Sequence, residues 1–292
     1  MTNKFKSVGI IAKHNDKLVV ETVRSLYDFL LSNDIKICVD DDAQQCLEST
    51  GVNCIDIKEM HKNIDLAIVV GGDGTLLAAA QSMVRNAIPI IGINRGRLGF
   101  LTNILPENMH QDLKQIFNGE YQEEARTVMT AKHMRGEEQL ADCLAINDVV
   151  IHARYVVRMI ELETRIDNEY LNTVRADGLI VATPTGSTAY ALSGGGPIVH
   201  PSVATTLLVP ICPHTLSNRP IAVDENSRVE IVYSSHNDLN GIASIDGQME
   251  TEVIPGDRIV MERSPKPLTL IQPNSYSFFK VLRQKLNWSQ QP

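Results

Sequence analysis

The residues able to do chemistry in these 292 residues gather in a few short segments rich in glycine, small hydroxyls and carboxylates. Gly71-Gly72-Asp73-Gly74-Thr75 follows an apolar run and precedes a helical one. Glycines in such a turn allow positive φ and let N–H groups approach a phosphate at a helix N-terminus, with Asp73 placed as a carboxylate facing that ligand. The alternative is a strand-to-helix turn in which Asp73 only caps the helix. The Lys of a G-x-x-x-x-G-K-[ST] loop is missing, so a divalent cation, a distant Lys or Arg, or the backbone has to offset phosphate charge. Asn94-Arg95-Gly96-Arg97-Leu98-Gly99-Phe100 could close over the same phosphate with its two arginines, and a plain loop reversal explains it equally well.

A second set lies further along. In Asn147-Asp148 an amide beside a carboxylate suits the two hydroxyls of a ribose, with a strand-end pair as the alternative. Arg175-Ala176-Asp177-Gly178 sets a cation and an anion next to a strand. The stretch from Thr183 through Thr185, Gly186, Ser187, Thr188 and Ala189 to Tyr190, followed by Ser193-Gly194-Gly195-Gly196-Pro197, offers a polar, backbone-exposing surface for a flat ligand. Tyr190 could stack on a base or ribose there, although Ser, Thr, Gly and Pro also dominate ordinary loops. Asp246-Gly247-Gln248 suits a hairpin turn whose polar groups could reach a ligand.

Other chemistries lack their residues. No G-x-S-x-G nucleophile elbow surrounds Ser187, the eight histidines form no H-x-x-x-H pair, and the five cysteines include no C-x-x-C. His200 and His214 lie near prolines and suit structural roles. A net charge of −8 argues against a nucleic-acid partner. The apolar stretch at 8–12 is too short for a signal peptide and no run approaches membrane-span length, so a cytoplasmic protein with reduced cysteines is expected.

The elements that must position these residues follow two rhythms. Short β-branched runs at 8–12, 35–39, 66–70 and 88–93 alternate with helical patterns at 17–31, 75–83 and 106–117, which predicts a doubly wound, Rossmann-like α/β domain over residues 1–120. Beyond Tyr121 the period becomes two, as in 160–166, with further strands expected at 149–151, 170–174, 179–182, 207–211, 228–233, 258–262 and 268–271. That predicts a mainly-β domain over 121–272 and a tail, 273–292, whose helix at 277–286 packs back on the first domain.

In this order, the segments resemble the bacterial NAD kinases over nearly the whole chain, with Pro213-His214-Thr215-Leu216 and Arg219-Pro220 completing the set. The resemblance implies transfer of the ATP γ-phosphoryl group to the 2′-hydroxyl of the adenosine ribose of NAD, a divalent cation (Mg²⁺ or Mn²⁺), and a homo-oligomer, dimer or tetramer. It makes Asp73 the general base, with Gly72 and Gly74 at the phosphates. It assigns Asn147 and Asp148 to ribose or nicotinamide-side groups, Arg175 and Asp177 to polar parts of the dinucleotide, and Thr188, Ala189, Tyr190 and Ser193 to its adenine and ribose surface. Arg158, Thr185 and Gln248 fall at positions of further NAD contacts. Asp148 stands where the family usually carries Glu, one methylene longer. Two rivals are a lipid kinase, which shares the G-G-D-G-T loop but is disfavoured by acidic charge and the absence of an amphipathic membrane stretch, and a non-catalytic dinucleotide sensor, which the intact Asp73 gives no reason to prefer.

Overall fold

The computed structural model describes residues 4–13, 17–47, 51–95, 99–154 and 159–288. They form two compact units: residues 1–125 with 268–292, and residues 126–267. Through the first unit run β1 (Ser7–Ala12), α1 (Lys17–Ser32), β2 (Lys36–Val39), α2 (Asp41–Leu47), α3 (Ile57–Met60), β3 (Leu66–Gly71), α4 (Asp73–Arg85), β4 (Ile90–Asn94), α5 (Met109–Phe117) and β5 (Tyr121–Arg126). The second holds β6 (Met129–Arg135), β7 (Glu138–Ala145), β8 (Asp148–Ala153), β9 (Ile160–Ile166), β10 (Glu169–Ala176), β11 (Gly178–Ala182), α6 (Tyr190–Ser193), β12 (Thr205–Ile211), β13 (Ile221–Asp224), β14 (Val229–Tyr233), β15 (Gly241–Ile245), β16 (Met249–Val253) and β17 (Arg258–Arg263). The chain then returns to the first unit with β18 (Leu268–Pro273) and α7 (Phe278–Lys285).

The first unit is an α/β layer structure around a sheet of order β2-β1-β3-β4-β18-β5, with parallel pairs β1/β2, β1/β3, β3/β4 and β4/β18. Strands β3 and β4 are buried at every residue, which is why they read as unbroken apolar runs. Val19, Val23, Leu26 and Leu30 recur at helical spacing along α1 and pack into the core with Ile10, Ile68 and Val70. Burying an aliphatic side chain of this kind contributes roughly 1.5–3 kcal/mol. Parallel strands of this arrangement present their carboxyl ends to ligands, and the Gly71–Thr75 turn lies at the end of β3.

The second unit is a sandwich of two sheets, β10-β9-β14-β17-β6-β7 and β13-β12-β11-β8-β15-β16. Its core draws Ile160, Leu162, Ile231 and Met261 from one sheet and Val149, Ile151, Leu179 and Ala243 from the other. The alternation of Ile160, Leu162 and Thr164 with Glu161, Glu163 and Arg165 sends the first set inward. Asp167 and Asn168 both take positive φ, closing the β9–β10 hairpin.

Two expectations change. Strand β18 and residues 121–126 (β5), which fell in the domain expected over 121–272, belong to the first sheet, where β18 pairs with β4 through Leu270 and Ile90. An apolar run of six residues carries no sign of which sheet it will join. The tail helix α7 follows β18 in that unit, and its Phe278 ring lies 6.3 Å from that of Phe100. Helices α2 and α3 were not expected, being too short to show a helical period.

Candidate active site

Asp73 is the first residue of α4. The N-cap is Gly72, whose φ is −97° and which supplies no side-chain cap, so the alternative of Asp73 as a helix cap does not hold. Nor do Gly71, Gly72 and Gly74 adopt positive φ. What the turn needs from Gly71 is room, since a Cβ there would stand 2.7 Å from Thr75 Oγ1.

The Asp73 carboxylate is held by the loop after β4. Phe100 N–H donates to Oδ2 at 2.8 Å; Leu101 N–H, Thr102 N–H and Thr102 Oγ1 all donate to Oδ1, each at 3.1 Å. Asn94 Nδ2 donates in turn to Thr102 Oγ1 at 2.9 Å, and Asn94 and Thr102 are both buried. The loop passes close enough for this only because residue 99 is glycine: a Cβ there would lie 2.0 Å from Asp73 Oδ1. A carboxylate oxygen offers two lone-pair sites. Three donors fill Oδ1, while Oδ2, with one, keeps a lone pair for a proton. The loop expected to close over phosphate therefore holds the acid instead; Gly96, Arg97 and Leu98 lie outside the described residues.

In the second unit a cleft of about 360 Å³ is lined by Asn147, Asp148, Val150, His152, Ala189, Tyr190, Ser244, Asp246 and Gly247. Three chain segments meet in it. Thr183 ties the first two together, its Oγ1 donating to Ile146 O at 2.5 Å and its N–H to Asn147 O at 2.9 Å. Gly186 lies so close that a Cβ would stand 2.0 Å from Asn147 O. Ser187 closes the turn, its Oγ donating to Pro184 O at 2.6 Å and accepting from Val199 N–H at 3.0 Å. The third segment is the β15–β16 turn, where the Asp246 carboxylate accepts from the N–H groups of Ile146, Asn147 and Asp148.

Asp148 is 5% exposed. Burial, then the neighbouring negative charge of Asp246, push it up to about 7 against the opposing hydrogen bond from Tyr190 N–H. Burial also raises Asp246, with the three backbone N–H groups opposing.

Of the residues expected in the site, Asn147, Asp148, Ala189 and Tyr190 share this cleft. Thr185 is buried outside the cleft lining, its Oγ1 accepting from Arg126 Nη1 at 3.5 Å, Thr188 Oγ1 donates to Thr185 O at 3.2 Å, and Gln248 stands in the β15–β16 turn next to Gly247. Ser193 ends α6 at the surface. Arg175 and Asp177 are exposed at the end of β10, where His214 N–H donates to Arg175 O at 2.9 Å and joins that motif to Arg175. Arg158 lies outside the described residues. Sequence reasoning missed His152 and Ser244 as lining residues and left Asp246 as a turn residue; the acid at the head of a two-residue positive-φ turn was the available signal.

A carboxylate with one open lone pair in the first turn of a helix that follows a parallel strand, on a chain of one α/β unit and one β-sandwich, has the features of a group-transfer enzyme. Comparison with known proteins makes the class specific. Residues 8–121 match the ATP-NAD kinase N-terminal domain and residues 146–273 the ATP-NAD kinase C-terminal domain. The NAD kinase of Tolumonas auensis is 42% identical over 292 residues, covering 100% of this chain and 99% of the relative; that of Pseudomonas putida is 43% identical over 285 residues, covering 98% and 96%. Among solved structures, an NAD kinase from Archaeoglobus fulgidus in complex with ATP superposes with a TM-score of 0.76 at 27% identity, covering 95% of this chain and 99% of the other. Yeast NADH kinase complexed with NADH, at 22% identity and a TM-score of 0.88 over 98% and 89%, shares the fold. The chain belongs to the NAD kinase family.

Proposed function

We propose that this chain transfers the ATP γ-phosphoryl group to the 2′-hydroxyl of the adenosine ribose of NAD, yielding NADP and ADP. The observation that carries the reading, beside family membership, is the Asp73 carboxylate with its single open lone pair on Oδ2. A ribose hydroxyl is a poor nucleophile until its proton is accepted. Oδ2 takes that proton as the 2′-oxygen forms its bond to the γ-phosphorus, and the bond from phosphorus to the β–γ bridging oxygen breaks, with ADP leaving. The N–H groups of Gly72 and Gly74 at the head of α4 face the phosphates.

Asn147 and Asp148 hold ribose or nicotinamide-side hydroxyl and amide groups, and Ala189 and Tyr190 form the flat face against which a base or ribose lies. Thr185, Thr188, Ser193, Arg175, Asp177, Arg158 and Gln248 complete the dinucleotide contacts, and the shorter Asp148 reaches its partner through a shifted ligand or a water. Among the described residues no group of three or more His, Cys, Asp or Glu could hold a metal ion. A divalent cation, Mg²⁺ or Mn²⁺, would offset charge on the ATP phosphates when bound. We assign the protein to the cytoplasm as a homo-oligomer, dimer or tetramer; its five free cysteines favour a reducing compartment.

The test is NADP formation from ATP, Mg²⁺ and NAD, read with an NADP-specific dehydrogenase, for wild type and Asp73→Asn. Product from wild type and at least a hundredfold less from Asp73→Asn, with NAD affinity retained, is expected. NAD binding without ADP release in wild type would favour a sensor, and ADP release with a lipid acceptor but not with NAD a lipid kinase.

A further inference from the structure

We infer that Asp246 is a positioning residue for the dinucleotide: its carboxylate, seated against three consecutive N–H groups, holds Asn147 and Asp148 in the conformation that binds NAD. The inference rests on the NAD reading above and goes past it, to what sets the geometry of the binding pair. Asp246 Oδ1 accepts from Asn147 N–H at 2.7 Å and Asp148 N–H at 3.1 Å, and Oδ2 accepts from Ile146 N–H at 2.9 Å. The carbonyls of the same three residues are also engaged. Ile146 O and Asn147 O accept from Thr183, and Asp148 O accepts from Asp246 N–H at 2.9 Å. With N–H and C=O groups both tied, the Asn147 and Asp148 side chains are what the segment offers the cleft.

Asp246 can do this because of its turn. Its φ is +51° and that of Gly247 is +63°, a pair of left-handed residues that folds β16 back on β15 and turns the Asp246 carboxylate toward the start of β8. Aspartate is among the few non-glycine residues that accept this conformation readily. A serine or asparagine could occupy the turn, but neither brings a negative charge to three N–H donors.

The same charge acts on Asp148. The groups facing Asp148 are the Asp246 carboxylate from the β15–β16 turn, the Tyr190 N–H from α6, and, lining the same cleft, the His152 ring from its own strand. Removing the Asp246 charge lets Asp148 ionise at lower pH, which a purely structural staple would not do.

Initial rates of NADP formation, with NAD varied at saturating ATP from pH 5.5 to 8.5, test this for wild type, Asp246→Asn and Asp246→Glu. Calorimetric NAD affinity without ATP provides a readout free of turnover. Asp246→Asn is expected to raise the NAD KM and Kd about tenfold or more, leave kcat and the ATP KM within about threefold, and move the pH midpoint of NAD binding down by half a unit or more. Asp246→Glu keeps the charge but displaces it, so it weakens NAD binding with the midpoint near that of wild type. Should Asp246→Asn fail to melt cooperatively, the Glu variant carries the test alone. Unchanged NAD affinity in a folded variant, or NAD and ATP KM values rising together with an unmoved midpoint, would overturn the inference. A wild type that binds NAD but makes no NADP would instead remove the kinase reading, while the calorimetric comparison still decides the role of Asp246.

Discussion

Replacing Gly186 by alanine puts the proposed dinucleotide site under a displacement that can be sized in advance. A Cβ at residue 186 would stand 2.0 Å from the Asn147 carbonyl oxygen, 2.5 Å from its carbon and 2.9 Å from its Cα. The first distance is about 1.4 Å short of ordinary van der Waals contact. All three atoms are backbone, so no side chain can swing aside; either the 183–188 turn or the Asn147–Asp148 segment must move. The Asn147 segment is tied by Thr183 and Asp246, so the strain falls on both. Misplacing a binding group by about 1 Å costs on the order of a hundredfold in rate, and overpacking of this kind costs about 1–3 kcal/mol of stability. Gly186→Ala is therefore expected to lower kcat/KM for NAD about a hundredfold and the melting temperature by about 2–4 °C per kcal/mol lost. Gly51→Ala, where a Cβ meets nothing within 4 Å, is the control and should change neither. Steady-state kinetics and thermal denaturation followed by circular dichroism decide the matter. A Gly186→Ala enzyme within threefold of wild type in kcat/KM, melting at the same temperature, would refute the claim that this contact sets the site.

Two further perturbations follow from the hydrogen bonds and charges described. Thr102→Val keeps the shape but removes the hydroxyl that donates to Asp73 Oδ1 and accepts from Asn94. Loss of one charge-assisted bond costs about 1.5–3 kcal/mol, and kcat should fall about tenfold with the NAD KM nearly unchanged, whereas Thr102→Ser restores both; equal kcat in the Val variant and wild type contradicts this. Asp148 titrates at about 7 in the fold, above its unfolded value of roughly 3.9. The folded state then binds more protons across that window, so the contribution of Asp148 to stability is greatest below the unfolded value and is lost as pH rises toward 7. Asp148→Asn should gain melting temperature relative to wild type between pH 4.5 and pH 8, and a difference between the two proteins that is the same at both pH values would show the carboxyl to be unperturbed.

Much of the fold was legible because the informative strands are internal. β1, β3, β4, β8, β11 and β12 are covered by neighbours on both sides and read as apolar runs. Of the strands not anticipated, β5, β7, β13 and β16 stand at the edges of their sheets, where one flank lacks a partner and polar residues such as those of Tyr121–Arg126 are tolerated, while the internal β6 sets Thr130 and Lys132 between its buried residues and so shows no apolar run. The site divides in the same way. Asp73, Asn147, Asp148 and Tyr190 announce themselves through neighbours in sequence. Thr102 and Asp246 act on groups 29 and 98 positions away, and no local spacing contains that information.

The place of β18 bears on how the molecule is made. Its strand fills the gap between β4 and β5, yet residues 126–267 must be synthesised before it exists. The sandwich is contiguous and has a core of its own, so it can fold as it emerges from the ribosome, while the half that begins the chain waits with two unpaired strand borders. Vectorial synthesis therefore lets the second unit be completed before the first. A released chain ending at residue 267 would carry every strand of the sandwich beside a sheet left open at β4 and β5, and so prone to aggregate.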